Sequence, residues 1–250
     1  VIMLGRIRKE TPMRLDKLIE DQLQTTRKEM KRLFASKQVR IDGQIEFSQN
    51  RNVDSLLHEI EVSGKRLTTN EAYFFLNKPN GAVTAVKDEE KMTVVDLIAS
   101  ADRPQALYPV GRLDRDTTGL LLLTSNGQLG YEMLLPDKKV LKTYQVAVNA
   151  ELTPEDSRAF KEGIVFDSGY RCLPAELTII EATNKNSIAT VTIQEGKFHQ
   201  VKKMFLARGK KVVELRRIKM GPLQLDEKLP VGAYRSLTLT ELKQLKMYFK

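Results

Sequence analysis

The sequence is poor in cysteine and histidine and has no tryptophan. Its 250 residues include one cysteine, Cys172, and two histidines, His58 and His199. A single cysteine excludes an internal disulfide and is typical of the reducing cytoplasm, which is the localisation we expect. So few soft ligands also argue against a zinc site, and we expect no metal.

Long apolar runs are missing as well. No run approaches the roughly 18 residues that span a bilayer, so we expect no membrane insertion. The first 12 residues carry basic side chains but no apolar core of signal-peptide length. We interpret residues 1–12 as a leader or tag-like extension and expect the folded protein to begin at Met13.

Positive charge is what the chain has in excess. Lysine and arginine number 41 against 32 acids, which gives a net charge of +9 and an isoelectric point near 9.5. This balance predicts a polyanionic partner, nucleic acid first and an anionic membrane surface second. Residues 197–219 hold nine cations and one acid, Glu214. Such a block indicates a track for an RNA backbone; a nuclear-localisation or membrane-surface reading lacks a supporting amphipathic helix.

The N-terminal quarter predicts two helices and a short sheet. Apolar residues at helical spacing indicate a helix over about residues 14–23, and Thr25 or Thr26 can cap a second over residues 27–36. That second helix places Arg27 beside Lys31 and Lys28 beside Arg32, although like charges one turn apart oppose helix stability. The cationic face suggests an anionic partner, with an ordinary solvated face as the alternative.

The remaining pattern mixes strands and helices without a regular βαβ rhythm. It predicts an α+β fold with a mixed, mostly antiparallel central sheet flanked by helices. A polar stretch after residue 63 indicates a domain boundary, giving a domain at 13–67, a linker at 68–72 and a second domain at 73–250. Among the predicted elements are a strand at 73–76, a helix at 94–100 capped by Thr93, and a final helix capped by Thr240.

One polar stretch stands directly before a run of leucines. Residues 111–127 read GRLDRDTTGLLLLTSNG, so Asp114 and Asp116 alternate with Arg112 and Arg115 before the apolar strand. A charged loop feeding a buried strand can hold a reactive group at the edge of a sheet, or can be a salt-bridged surface loop. Spacing alone does not choose between the two aspartates.

That stretch resembles the signature of the pseudouridine synthases, in their ribosomal-RNA branch. The run FFLNKPNG resembles the opening of the family's catalytic domain, and residues 13–67 resemble an S4-like RNA-binding domain. The resemblance implies isomerisation of uridine to pseudouridine in ribosomal RNA without a cofactor, and the chain has no P-loop or dinucleotide fingerprint.

The same resemblance assigns residues to roles. Asp114 is the catalytic carboxylate, Tyr144 of the Lys-Thr-Tyr motif packs on the target base, and Lys202 pairs with Asp114. Supporting active-site residues are Arg112, Thr118 and Gly119. His199 receives no proton-transfer role. The expected RNA contacts are Arg14, Arg27, Lys28, Lys31, Arg32, Lys197, Lys203, Arg208, Lys210, Lys211, Arg216 and Arg217.

The segment GKFHQVK favours the members of this family that act on small-subunit ribosomal RNA. The resemblance implies action on 16S ribosomal RNA at uridine 516, in an assembling small subunit, and we expect a monomer. Three alternatives stay open: an enzyme acting on 23S ribosomal RNA, a non-catalytic S4-type RNA-binding or ribosome-assembly protein, and a glycoside-type hydrolase that uses Asp114 and Asp116 as its carboxylate pair.

Overall fold

The structure is a computed structural model that describes residues 13–249. The expected leader at 1–12 lies outside the described residues. Within this range no helix is both long and apolar enough to cross a membrane. The described chain forms two sheets, one of four strands in the N-terminal module (residues 13–67) and one of nine strands in the larger unit.

The N-terminal module packs two helices on a small antiparallel sheet of order β2-β1-β3-β4. Thr26 begins the second helix with a capping box, because its hydroxyl accepts from the Glu29 amide at 3.3 Å and the Glu29 carboxylate accepts from the Thr26 amide at 2.8 Å. Both predicted helices are present within about one residue. The elements are α1 Leu15–Leu23, α2 Arg27–Ala35, β1 Val39–Ile41, β2 Gln44–Ile45, β3 Ile60–Val62 and β4 Lys65–Leu67.

The larger unit is built on a sheet of order β13-β5-β7-β11-β8-β10-β9, with β6 added beside β7 and β12 beside β11. Only β7 and β11 run parallel; the other strand pairs of this sheet are antiparallel. This confirms the α+β prediction. The strands are β5 Tyr73–Lys78, β6 Tyr108–Pro109, β7 Thr118–Thr124, β8 Lys142–Val148, β9 Glu176–Ala182, β10 Ser187–Ile193, β11 Val212–Met220, β12 Leu223–Gln224 and β13 Tyr234–Ser236.

The leucine run is the central strand β7, and it separates two cores. All four leucines are fully buried; Leu121 and Leu123 face one core, whereas Leu120 and Leu122 face the other. Side chains alternate along a strand, so a continuous apolar run is what burial on both faces requires. The covering helices are α3 Gly127–Leu134, α4 Pro154–Glu162, α5 Gln200–Leu206 and α6 Leu239–Leu245, with 3₁₀ turns at Pro136–Lys138 and Lys246–Tyr248.

Two predicted helix details are wrong. Residues 94–100 form turns: Thr93 and Asp96 exchange the two hydrogen bonds of a capping box, but the Ile98 carbonyl then accepts from the Arg103 guanidinium and no helix continues. The last helix is capped by Thr238 instead of Thr240, because Glu241 stands three residues after Thr238 and completes its capping box.

The two units are joined by a buried polar contact. Asp54 of the N-terminal module is fully buried and accepts hydrogen bonds from the Tyr73 hydroxyl and, at 2.7 Å, from the Asn126 side chain. Leu57 packs into the core of the larger unit. In the predicted linker, the Thr69 amide donates to Ser55 at 2.8 Å. The N-terminal module is therefore docked on the larger unit.

Candidate active site

The loop of residues 111–117 is held from below by a buried lysine. Lys78 ends β5 with no exposed surface, and its ammonium donates to the carbonyls of Pro79, Arg115 and Thr117 at 3.0, 3.1 and 3.0 Å. Burial lowers the pKa of Lys78 to about 8, although Asp116 and Asp114 act in the opposite direction. Lys78 was not among the predicted site residues; its place in the segment FFLNKPNG was the available signal.

Further hydrogen bonds fix the backbone on both sides of Asp114. The Thr84 hydroxyl donates to the Leu113 carbonyl at 2.7 Å, and the Gly81 amide donates to the Arg115 carbonyl at 2.9 Å. The Thr117 amide closes the turn on the Asp114 carbonyl at 3.1 Å. One segment distant in sequence, residues 78–84, thus sets the position of this carboxylate together with the turn inside its own loop.

Lys202 lies between the two aspartates. Its ammonium, on α5, is 3.1 Å from Asp114 Oδ2 and 2.6 Å from Asp116 Oδ1. Hydrogen bonding to Lys202 lowers the pKa of Asp116; burial opposes the charge of Lys202, but its bonds to Asp116 and Asp114 raise its pKa. The predicted pairing with Asp114 is present, but it is shared with Asp116. The Asp114 side chain is 27% exposed and that of Asp116 66%, so Asp114 is the more enclosed of the two.

His199 also contacts the Asp114 carboxylate, a contact that was not predicted from the sequence. Its Nε2 is 3.5 Å from Asp114 Oδ1, and its backbone has a left-handed φ of +52°. Phe198 stacks on its ring, with centroids 3.8 Å apart. Its place beside Gln200 and three residues before Lys202 was the available signal.

Asp114 and His199 line a cleft of about 1390 Å³, whose wall also includes Arg112 and Tyr144. Its volume exceeds that of typical small-molecule sites. Tyr144 is a buried residue of β8. Within residues 13–249, no group of three or more acidic, histidine or cysteine side chains is placed to hold a metal ion.

Gly119 and Thr118 lie where β7 meets β11. Gly119 has φ of +97°, and a Cβ there would meet the Arg217 carbonyl oxygen at 2.3 Å. Only glycine allows this approach. Thr118 is half-buried opposite Arg216 in the parallel register. Both residues therefore support the loop through the sheet.

Three of the expected RNA contacts have internal roles. Arg217 is 1% exposed and donates from Nε to the Leu120 carbonyl at 2.8 Å, so its burial corrects the expectation of a surface phosphate contact. Arg208 and Lys210 bind the fully buried Asp156 at 2.9 and 3.0 Å. Their charge is largely used inside the protein, because a buried carboxylate requires partners.

The other expected contacts remain accessible. Arg14 is exposed but forms a two-pronged ion pair with Asp16. Arg216 is half-buried. The exposed cations are Arg27, Lys28, Lys31, Arg32, Lys197, Lys203 and Lys211.

A cleft whose wall carries an ion-paired carboxylate, a tyrosine and several cations favours an enzyme for a polyanionic substrate. The RNA pseudouridylate synthase family matches residues 72–207. An uncharacterized RNA pseudouridine synthase of Bacillus subtilis, YtzG, is 40% identical over 93% of this chain and 98% of its own. Ribosomal small subunit pseudouridine synthase A of Vibrio cholerae is 38% identical over 93% of this chain and 99% of its own.

A solved structure agrees with these sequences. A crystal structure of a pseudouridylate synthase, 36% identical, superposes with a TM-score of 0.64 over 93% of this chain and 99% of its own. The chain therefore belongs to the RNA pseudouridine synthase family. It is an isomerase that acts on RNA, as the sequence predicted, and not a glycoside hydrolase.

Proposed function

We propose that this enzyme converts one uridine of 16S ribosomal RNA, namely uridine 516, to pseudouridine in an assembling small subunit. The observation that carries the proposal is the enclosed Asp114. Hydrogen bonds from Lys78 hold the loop that carries it, and its carboxylate pairs with Lys202. The small-subunit target is supported by the Vibrio cholerae relative, whose similarity covers the N-terminal module as well as the catalytic unit. The enzyme acts as a monomer in the cytoplasm.

Asp114 is the catalytic carboxylate. Isomerisation breaks the bond from uracil N1 to the sugar and joins C5 to the same sugar carbon, while the C5 proton is lost and N1 gains one. The reaction neither adds nor removes electrons, so it requires no redox cofactor. An ionised carboxylate in a partly desolvated cleft suits this chemistry, and the Lys202 ammonium lies 3.1 Å from Asp114 Oδ2. The target uridine must leave its stack to reach Asp114.

The other cleft residues bind and orient the substrate. Tyr144 packs its ring on the extruded uracil, while Arg112, exposed on the wall of the cleft, contacts the backbone of the extruded nucleotide. The exposed cations of α2 and of residues 197–211 contact RNA phosphates; they are Arg27, Lys28, Lys31, Arg32, Lys197, Lys203 and Lys211. Such contacts position RNA but do not read its sequence.

The test is Asp114→Asn beside its matched control, Asp116→Asn. We expect Asp114→Asn to abolish tritium release from 5-labelled uridine in RNA. Its RNA affinity should stay near that of the wild type, because RNA binding depends on cations elsewhere on the protein. Asp116→Asn should retain measurable turnover. Substantial turnover by Asp114→Asn, in a preparation free of wild-type enzyme, would move the catalytic role elsewhere.

A map of pseudouridines in both ribosomal RNAs, from cells with and without this enzyme, tests the target. A loss confined to 16S ribosomal RNA supports the proposal. A loss in 23S ribosomal RNA would reassign the substrate without changing the role of Asp114.

A further inference from the structure

Aromatic rings and exposed lysines lie next to one another in a set that reaches the wall of the cleft. We call this set the rim strip; it consists of Phe166, Tyr170, Lys197, Phe198, His199 and Lys203. Lys197 Nζ lies 5.1 Å from the Tyr170 ring centroid, and the Tyr170 and Phe166 rings are 5.9 Å apart. Lys203 Nζ then lies 5.9 Å from Phe166 and 5.2 Å from Phe198. Its last ring, His199, contacts Asp114, so the rim strip leads to the proposed reaction site.

Phe198 is the phenylalanine or tyrosine ring of this strip that is most exposed to water. It is 59% exposed, and its one close ring contact is His199, at an interplanar angle of 22°. A large aromatic side chain buries much area when it is covered, so leaving Phe198 in water forfeits that stabilisation. Lys203 contacts the ring only loosely at 5.2 Å, and its exposed side chain can move when another group takes its place.

The segment that carries Phe198 is fixed before any substrate arrives. Glu195 accepts hydrogen bonds from the Leu173 amide, the Gln200 side chain and the Tyr170 hydroxyl, at 2.8, 2.8 and 2.7 Å. Hydrogen bonds therefore hold both ends of the 195–200 segment. A pre-organised ring loses little conformational entropy when a ligand stacks on it.

The chemistry of the strip fits an unpaired nucleotide. Single-stranded RNA is bound by aromatic faces that stack on bases and by cations that contact phosphates. An apolar side chain of a protein partner would suit Phe198 alone, but not the lysines on either side. We propose that Phe198, supported by His199, stacks on the base of a nucleotide next to the target uridine, while Lys203 and Lys197 contact its phosphates. This inference rests on the proposed function, which places the target uridine at Asp114.

The experiment compares Phe198→Leu with Phe198→Tyr and with a control, Phe47→Leu. Phe47 is a similarly exposed phenylalanine, 68%, in the N-terminal module. The probe is a synthetic RNA containing the uridine that the wild-type enzyme modifies, with 2-aminopurine or an abasic site in place of each neighbour in turn. Fluorescence quenching of 2-aminopurine reports stacking, and single-turnover kinetics give the half-saturating RNA concentration.

We expect quenching at one neighbouring position in the wild type and in Phe198→Tyr, and its loss in Phe198→Leu. The leucine variant should need about tenfold more RNA, within the range measured for one stacked base. That difference should vanish on the RNA that is abasic at the quenched position, and Phe47→Leu should match the wild type throughout.

Equal weakening by Phe198→Leu on the intact and abasic RNAs would overturn the proposal, as would quenching that persists in this variant. Quenching is measured on bound RNA and needs no turnover. If Asp114→Asn proved active, the catalytic assignment would therefore fail while the fluorescence result still decided the role of Phe198.

Discussion

Removing the Lys202 charge should slow the reaction far more than it weakens RNA binding. At 3.1 Å from Asp114 Oδ2, a unit charge attracts the carboxylate by about 1 kcal/mol in a water-like dielectric and by about 5 kcal/mol at an effective dielectric of about 20. Both side chains are about a quarter exposed, at 25% and 27%, which places the pair between these limits. If about 3 kcal/mol of this attraction acts in the transition state, its loss in Lys202→Met slows the reaction on the order of 100-fold.

The assay is single-turnover pseudouridine formation at saturating RNA, over a range of pH. Lys202→Arg should retain much more activity than Lys202→Met, since the charge survives, although its planar fork differs from an ammonium. Lys203→Met is the neighbouring control and should raise mainly the RNA concentration needed.

Two results would refute the reasoning. If Lys202→Met changed only the half-saturating RNA concentration, Lys202 would be a phosphate contact. If Lys202→Met and Asp116→Asn had the same rate and pH profile, the cation would act through Asp116, its closer partner at 2.6 Å.

Three further substitutions are tested for stability by denaturant unfolding, and a fourth, Arg208→Ala, by the salt dependence of RNA binding. Asp156→Asn should destabilise the protein by about 3–5 kcal/mol, because it leaves two partly buried cations without their carboxylate, whereas Arg208→Ala should leave the salt dependence of RNA binding nearly unchanged. Gly119→Ala should destabilise strongly, since its Cβ would meet a backbone oxygen at 2.3 Å; a wild-type stability would mean that β7 and β11 separate easily. Burial, with Arg217 nearby, lowers the pKa of Lys142 to about 8 from 10.5, so the charged form disfavours the native state below pH 8. Lys142→Met should therefore be more stable than the wild type at pH 7, and this advantage should shrink as pH rises from 8 towards 10.5.

Local patterns predicted the elements whose signals are local. The leucine run became a strand buried on both faces, and Thr26 with Glu29 three residues on became a helix cap. The same logic failed at Thr93, where a capping box opens only turns. A capping box satisfies the first amides of a helix but cannot supply the residues that extend it.

The relation between the two units lay beyond sequence reasoning. Residues 13–67 could be read as a separable domain, because the polar linker hides what faces it. The structure buries Asp54 against Tyr73 and Asn126, so cutting at the predicted boundary would leave polar groups of the larger unit without their partner. Weakened RNA binding after such a truncation would then mix loss of cations with loss of stability.

Charge counting also fails to separate internal cations from external ones. Four of the nine cations in residues 197–219 interact within the protein. Lys202 pairs with the two site aspartates, and Arg208 and Lys210 pair with Asp156. Arg217 is buried. Spacing could not reveal this, because Asp156 is about 50 residues away in sequence and its burial depends on the folded core. The cations left on the surface include Lys197 and Lys203, the two that contact exposed aromatic rings. The path of the RNA at the cleft is therefore better inferred from where cations meet aromatic rings than from where cations are most numerous.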